Sequence, residues 1–436
     1  MYNKIWSQIK EKGNNYGVNL LLLSGITLGS LLLSPQSSYA APFKLTQTFN
    51  DPTPNNGSRF GWSVAISDNN ILVGDLRDDT GALGAGAAHL FDGSTGSLLH
   101  TFQKPTPTSN GDFGFSVAIS GNNVLVGARF DKSNAGTAYL FDGSTGSLLR
   151  TFQKPTPSIY DQFGYSVAVS GNNILVGEII TGAAYLFDGT TGSLLQTFLK
   201  PTPAFNQFGN SVAISGNKVL VGASYDNTGA TAAGVAYLFD GTTGSLLQTF
   251  LNPTPENSDL FGYSVSISGN NVLIGTPNDS AGASNAGSAY LFDATSGSLL
   301  QTFLNPTPAI SQSFGQSVAI SNNNVLVGAP NGGNGTAYLF DATTGSLLQT
   351  FLDPTPLSGG SFGFSVAISN DNALIGEVGG RAAYLFHPAQ SSKTVPEPSN
   401  MLGLSLLGLG LAATKVKGVL SKKAKSPTDN PQATDS

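Results

Sequence analysis

Between Phe43 and Pro388 the chain repeats itself seven times, and no other property restricts its fold as much. An FG pair followed by SVAIS or a close variant begins at Phe60, Phe113, Phe163, Phe208, Phe261, Phe314 and Phe362, at spacings of 53, 50, 45, 53, 53 and 48 residues. Each copy holds the same apolar segments. In the second they are FGFSVAIS from Phe113, NVLVGA from Asn123, TAYLFD from Thr137 and SLLRTF from Ser147. All four are short, rich in β-branched or aromatic residues, and bounded by Gly, Asn or Pro, which is the pattern of strands. The connections SGNN at Ser120–Asn123 and DGSTG at Asp142–Gly146 supply residues tolerant of positive φ, so both are expected to be tight hairpins. Four antiparallel strands in sequence make one blade, and seven blades set radially make an all-β, seven-bladed β-propeller with short, protected edges.

The two ends of the repeat region complement each other. The seventh copy stops after AAYLF at Phe386 and lacks SLLQTF, whereas the region opens with LTQTFNDPTP at Leu45, which matches the fourth strand and following loop of the other copies. The N-terminal strand is therefore expected to supply the missing outer strand of the last blade. A PTP tripeptide in every four-to-one loop restricts the backbone and acts as a stiff spacer. The two-to-three loops vary instead, taking 14, 11, 7, 14, 14, 9 and 7 positions from the last Gly of strand two to the Ala of strand three. Both kinds of loop belong to one face of the ring.

The residues outside the repeats read as export signals. Lys4, Lys10 and Lys12 precede an apolar run from Val18 to Leu33, then Pro35 and the small-residue pattern Ser38-Tyr39-Ala40, so residues 1–40 are read as a signal peptide cleaved after Ala40. The propeller is assigned to 41–389, a linker to 390–400, an apolar segment with a basic cluster to 401–425, and a polar tail to 426–436. Eight of the 20 basic residues lie in the terminal segments, so Ala41 to Val395 holds 12 Lys plus Arg against 22 Asp plus Glu, a balance of −10. That excess of negative charge argues against nucleic acid as a partner. The absence of Cys excludes thiol nucleophiles and cysteine metal sites.

FG followed by SVAIS, then VGA or VGAP as at Val327–Pro330, then GTAYLF, resembles the FG-GAP repeat over about 340 residues. That family includes the seven-bladed head domain of integrin α chains, and the resemblance implies a ligand-binding face formed by the four-to-one and two-to-three loops. Many of its members bind calcium through an Asp-rich DxDxDG loop between strands one and two. Here that loop is only SGNN, SDNN or SNDN, too short and too poor in carboxylates, so no metal site or cofactor is assigned. The C-terminus is similar to the PEP-CTERM sorting signal: VPEPS at Val395–Ser399, an apolar Leu/Gly stretch, then lysines. This resemblance implies recognition at Pro396, Glu397 and Pro398 by an exosortase-type processing enzyme, with transient membrane contact through an apolar sorting helix. Met401 to Thr414 is 14 residues, roughly 21 Å as a helix against a hydrocarbon core of about 30 Å, which suits transient rather than permanent anchoring. Cell surface or extracellular matrix is the expected destination.

No catalytic residues are assigned. His89, His100 and His387 each replace another residue at a repeat position, which drift within a repeat explains, and no GxSxG elbow is present. The Asp that recurs after YLF, as at Asp92, Asp142 and Asp188, is expected to cap its own turn. The recurrent Phe and Tyr are expected to pack between blades. What remains are the polar and aromatic residues of the variable loops: Asp75, Arg77, Asp78, Asp79, Arg129, Asp131, Tyr225, Asp226, Asn278, Asp279 and Asn331. They are the candidate ligand contacts of a non-catalytic adhesion scaffold for an extracellular glycan or protein. Two alternatives stand beside it: a polysaccharide-acting enzyme using carboxylates of this face, and a cation-dependent adhesion module using Asp75, Asp78 and Asp79. Exchanging those three for Asn is expected to leave folding nearly unchanged, as for exposed charges.

Overall fold

Short strands that alternate with Gly- and Asn-bearing turns pair with their sequence neighbours, and a computed structural model of the chain shows this in every repeat. It describes residues 42–201, 207–356 and 359–389. The signal peptide expected over 1–40 and the sorting segment from 390 onward lie outside the described residues. Seven antiparallel four-stranded sheets form the seven blades. The first holds Phe60–Ser67, Asn70–Asp75, Ala87–Asp92 and Leu98–Phe102. In the second, Phe113–Ser120, Asn123–Ala128, Thr137–Asp142 and Leu148–Phe152 follow the same order.

The last blade holds Phe362–Ser369, Asn372–Glu377 and Ala382–Pro388, and its fourth strand is the N-terminal Phe43–Asn50. The pairing runs from Phe43 opposite Pro388 to Asn50 opposite Ala382, with an irregularity between Leu45 and Gln47. The ring closes as the sequence indicates. Just beyond the ladder, Ala389 N donates to Pro42 O at 2.8 Å, so the two ends of the propeller are hydrogen-bonded to each other.

Among the described residues the apolar core is divided rather than central. Seven apolar clusters lie between consecutive blades: Leu72, Leu90 and Phe102 of the first meet Phe113, Val124, Val126 and Phe141 of the second. Phe49, Leu374 and Leu385 of the last meet Phe60, Ile71 and Phe91 of the first. The FG and VG glycines allow this close stacking. Gly114 has φ +86°, and a Cβ on Gly127 would lie 2.2 Å from the carbonyl oxygen of Gly164 in the next blade, so backbone packs directly on backbone. Strand-one serines fasten the same place, with Ser63 Oγ donating to Gly114 O at 2.9 Å and Ser365 Oγ to Gly61 O at 2.8 Å across the closure. The Asp residues after YLF cap their turns as expected: Asp142 Oδ1 accepts from Ser144 N at 2.8 Å and Thr145 N at 3.0 Å. These bonds hold its carboxyl below the usual carboxylate range.

Candidate functional site

Six of the seven variable loops are built on a buried carboxylate; that of the sixth blade, 329–335, has none. Four residues after the strand-two Gly, Asp78, Asp131, Asp226 and Asp279 occupy equivalent positions, and all four are buried. Three of them accept from the backbone N–H two residues on, as Thr80 N donates to Asp78 Oδ1 at 2.6 Å and Ala281 N to Asp279 Oδ1 at 2.8 Å, forming an Asx-type turn, while Asp131 Oδ1 accepts from Lys132 N at 2.9 Å. The two shortest loops place Glu178 and Glu377 immediately after that Gly, where the longer side chain reaches the same region. Tyrosines of strand three close in from below: Tyr139 OH donates to Asp131 at 2.5 Å, Tyr290 OH to Asp279 at 2.6 Å and Tyr384 OH to Glu377 at 2.8 Å.

A cation completes this arrangement in three blades. The residue before PTP is Lys104, Lys154 or Lys200, and their ammonium groups lie 3.2 Å from Asp131, 3.5 Å from Glu178 and 2.5 Å from Asp226. Burial pushes the Asp131 carboxyl up, but the Tyr139 and Lys104 contacts outweigh it and hold the group below its ordinary range. These carboxylates organise loops from beneath and do not face a ligand.

The sequence candidates therefore separate into two sets. Asp75, Asp78, Asp131, Asp226 and Asp279 are buried. Asp75 accepts from Ser58 Oγ at 2.6 Å, Arg59 N at 2.7 Å and Arg77 N at 3.1 Å, tying the four-to-one loop to the two-to-three loop. The expectation that Asp75, Asp78 and Asp79 can be exchanged for Asn with little effect on folding is thus corrected, because two of the three are interior and their neutral replacements lose acceptors. Arg77, Asp79, Arg129, Tyr225, Asn278 and Asn331 remain at least partly accessible. Arg77 donates to Asn110 at 3.0 Å, and with Asp79, Asn55 and Leu83 it lines a groove of about 640 Å³. Asn278 and Asn331 bond back to the loops, to Ser258 O and Ser313 Oγ at 3.0 Å each.

The feature that sequence reasoning missed lies on the axis. The residue after each FG is Trp62, Phe115, Tyr165, Asn210, Tyr263, Gln316 or Phe364, and together these line a central channel of about 320 Å³. Five of the seven are aromatic and form a collar where the strands begin, on the face that carries the variable loops. Trp62 lies 4.6 Å from Phe364 and 5.7 Å from Phe115, and Phe115 lies 5.0 Å from Tyr165. The Arg129 guanidinium sits 3.7 Å over the Phe115 ring while bonding Asp112 at 3.0 Å. Burial, with the neighbouring phenols of Tyr165 and Tyr225, pushes the Tyr263 hydroxyl up to about 12 and keeps it a neutral donor. The expectation that recurrent aromatics pack between blades holds for the FG phenylalanines and the strand-three Tyr and Phe, and fails for these five. Their signal was visible: the position varies between aromatic and polar types within an otherwise nearly constant strand.

Such a surface can hold a ligand by stacking and hydrogen bonding. Of the candidate carboxylates only Asp79 is exposed.

Compared with known families, the chain matches the FG-GAP repeat over residues 51–91, 107–141, 203–239, 253–292 and 308–340. These fall on the first, second, fourth, fifth and sixth blades; the third and seventh have the shortest variable loops and carry Glu178 and Glu377. A search of curated proteins finds no match. Among solved structures, the crystal structure of the computationally designed Ika8 protein is similar at 17% identity, covering 76% of this chain and 97% of its own, with a TM-score of 0.47. That likeness is too weak to carry an argument.

Proposed function

The chain is an FG-GAP repeat β-propeller, and from that premise we propose that it is an exported, non-catalytic binding scaffold of the cell surface or extracellular matrix whose variable face grips a glycan. The aromatic collar carries this reading. Part-exposed rings present flat apolar faces to the C–H surface of a sugar, while Arg129 and Gln316 offer polar groups to its hydroxyls. The variable loops around the collar supply the difference between one ligand and another. Export through the N-terminal leader and sorting through Pro396, Glu397 and Pro398 belong to the same proposal. The inward-turned carboxylates speak against the polysaccharide-cleaving alternative.

The test is a glycan and protein array probed with residues 41–389. We expect a polysaccharide to bind, and joint Tyr165→Ala and Arg129→Ala exchange to weaken it about 10-fold or more, the loss typical of a central anchor. Melting should fall, because Arg129 also pairs with the buried Asp112, while the protein stays folded. Thr145→Ala and Thr191→Ala, in the turns of the opposite face, should leave binding intact. Binding that survives the collar variants and is lost with the turn variants would place the functional face on the wrong side.

A further inference from the structure

In the first blade the loop-organising site has lost its lysine. The residue before PTP is Asp51, so a second carboxylate stands where Lys104, Lys154 and Lys200 place an ammonium group in the second, third and fourth blades. The strand-three tyrosine is also replaced, by His89. Donor atoms of Asp51, Asp78 and His89 all lie within 4.8 Å of one another. His89 is completely buried, its Nδ1 is bonded to Thr101 Oγ1 at 3.1 Å, and its Nε2 has no partner. Ser58 Oγ links Asp51 to the buried Asp75, bringing a third carboxylate into the same cluster. Among the described residues no ion pair reaches Asp51, Asp75 or Asp78; Arg77, the nearest cation in sequence, turns to Asn110 and Asp112. Buried carboxylates without a cation are costly, and an imidazole nitrogen with no hydrogen-bond partner among them offers a lone pair suited to a metal ion.

We propose that Asp51, Asp78 and His89 form a site for one divalent transition-metal ion of the Zn²⁺ or Mn²⁺ class, which takes the place of the lysine. One imidazole with two carboxylates suits these ions, whereas Ca²⁺ seeks six to eight oxygens. A tetrahedral ion with bonds of about 2.1 Å holds its donors about 3.4 Å apart, so modest side-chain rotation closes the set. Each carboxylate keeps free lone pairs beside its present bonds, Asp51 from Thr53 N and Ser58, and Asp78 from Thr80 N and Thr53 Oγ1. The position in the fold gives the ion its role. Asp51 directly follows the closing strand Phe43–Asn50 of the last blade, while Asp78 and His89 belong to the first, so the metal ties together the seam at which the ring closes.

The experiment strips the purified protein with a chelator, returns ZnCl2, MnCl2 or CaCl2, and follows melting together with metal content. One Zn²⁺ or Mn²⁺ per chain is expected, raising Tm by about 5 °C at roughly 100-fold excess over Kd. The double exchange Asp51→Lys with His89→Tyr restores the residues of the second to fourth blades. It should fold, melt no lower than the stripped wild type, and show no response to metal. His89→Tyr alone should lose the Zn²⁺ response. The assignment is overturned if none of the three ions shifts the wild type, if the shift persists in the double variant, or if Ca²⁺ alone acts.

Discussion

In the last blade Asp353, the residue before PTP, stands at the position from which Lys154 reaches Glu178 in the third, and its charge is felt by Glu377, so two acids occupy the place of an ion pair. Glu377 is completely buried; burial pushes its carboxyl above the ordinary range, the Tyr384 bond offsets part of that, and the Asp353 charge adds to it. One oxygen of each, Asp353 Oδ2 and Glu377 Oε1, is buried without a partner. Because its folded-state pKa is raised, the native protein binds this proton more tightly than the unfolded chain does. The corresponding stability is present in acid and is lost as pH rises from the ordinary Glu value through the raised one. The capping residues Asp92, Asp142, Asp188, Asp240, Asp293 and Asp341 behave oppositely. Hydrogen bonds lower their pKa, so their contribution is present above the ordinary Asp value and disappears only as pH falls through the lowered one. Asp353→Lys should therefore stabilise the protein by about 2 kcal/mol at neutral pH, by giving a buried charge its counter-ion. It should also flatten the stability profile above the ordinary Glu pKa. Urea unfolding at several pH values measures both, and an unchanged midpoint would show that the two acids do not sense each other.

A strand is the unit that decides closure. Phe43–Asn50 adds the fourth strand of the last blade and brings the buried Phe49 against Phe60 and Phe91 of the first. Deleting Phe43 to Asn50 leaves Ala382–Pro388 as an open edge and uncovers that cluster, so the shortened protein should aggregate or melt well below the fragment that begins at Ala41. Equal melting of the two would mean that the strand adds nothing. This strand was legible in the sequence because LTQTFNDPTP copies a motif present six more times, and a repeat exposes a missing or displaced piece at once. The site was less legible, for physical reasons. Charges in a polar loop look solvated, and nothing local to Asp131 announces that Lys104, 27 residues earlier, packs beneath it. Only lining up the copies pairs the residue before PTP with the residue four after Gly. The collar escaped notice because Phe115 alternates with Phe113 along a strand as core residues do, and which side of a strand faces the axis depends on how seven blades close.

At the scale of the whole molecule the propeller is a ring of seven shared interfaces with no privileged centre, so function has to come from where the copies differ and from what carries the ring to its place. If Pro396, Glu397 and Pro398 direct sorting, replacing all three with Ala should leave melting of the propeller unchanged while full-length protein accumulates in the membrane fraction. Normal release of that variant would remove the sorting proposal. The hydrogen bond between Ala389 and Pro42 has a mechanical consequence for either outcome. The chain leaves the ring at the end of Ala382–Pro388, on the side away from the variable loops, and that strand is flanked in its sheet by Phe43–Asn50 and Asn372–Glu377. A pull between a ligand on the collar and residues beyond Ala389 therefore runs along this strand and loads two ladders in shear. Hydrogen bonds so loaded share the force and rupture together, whereas an outer strand pulled sideways would unzip one bond at a time.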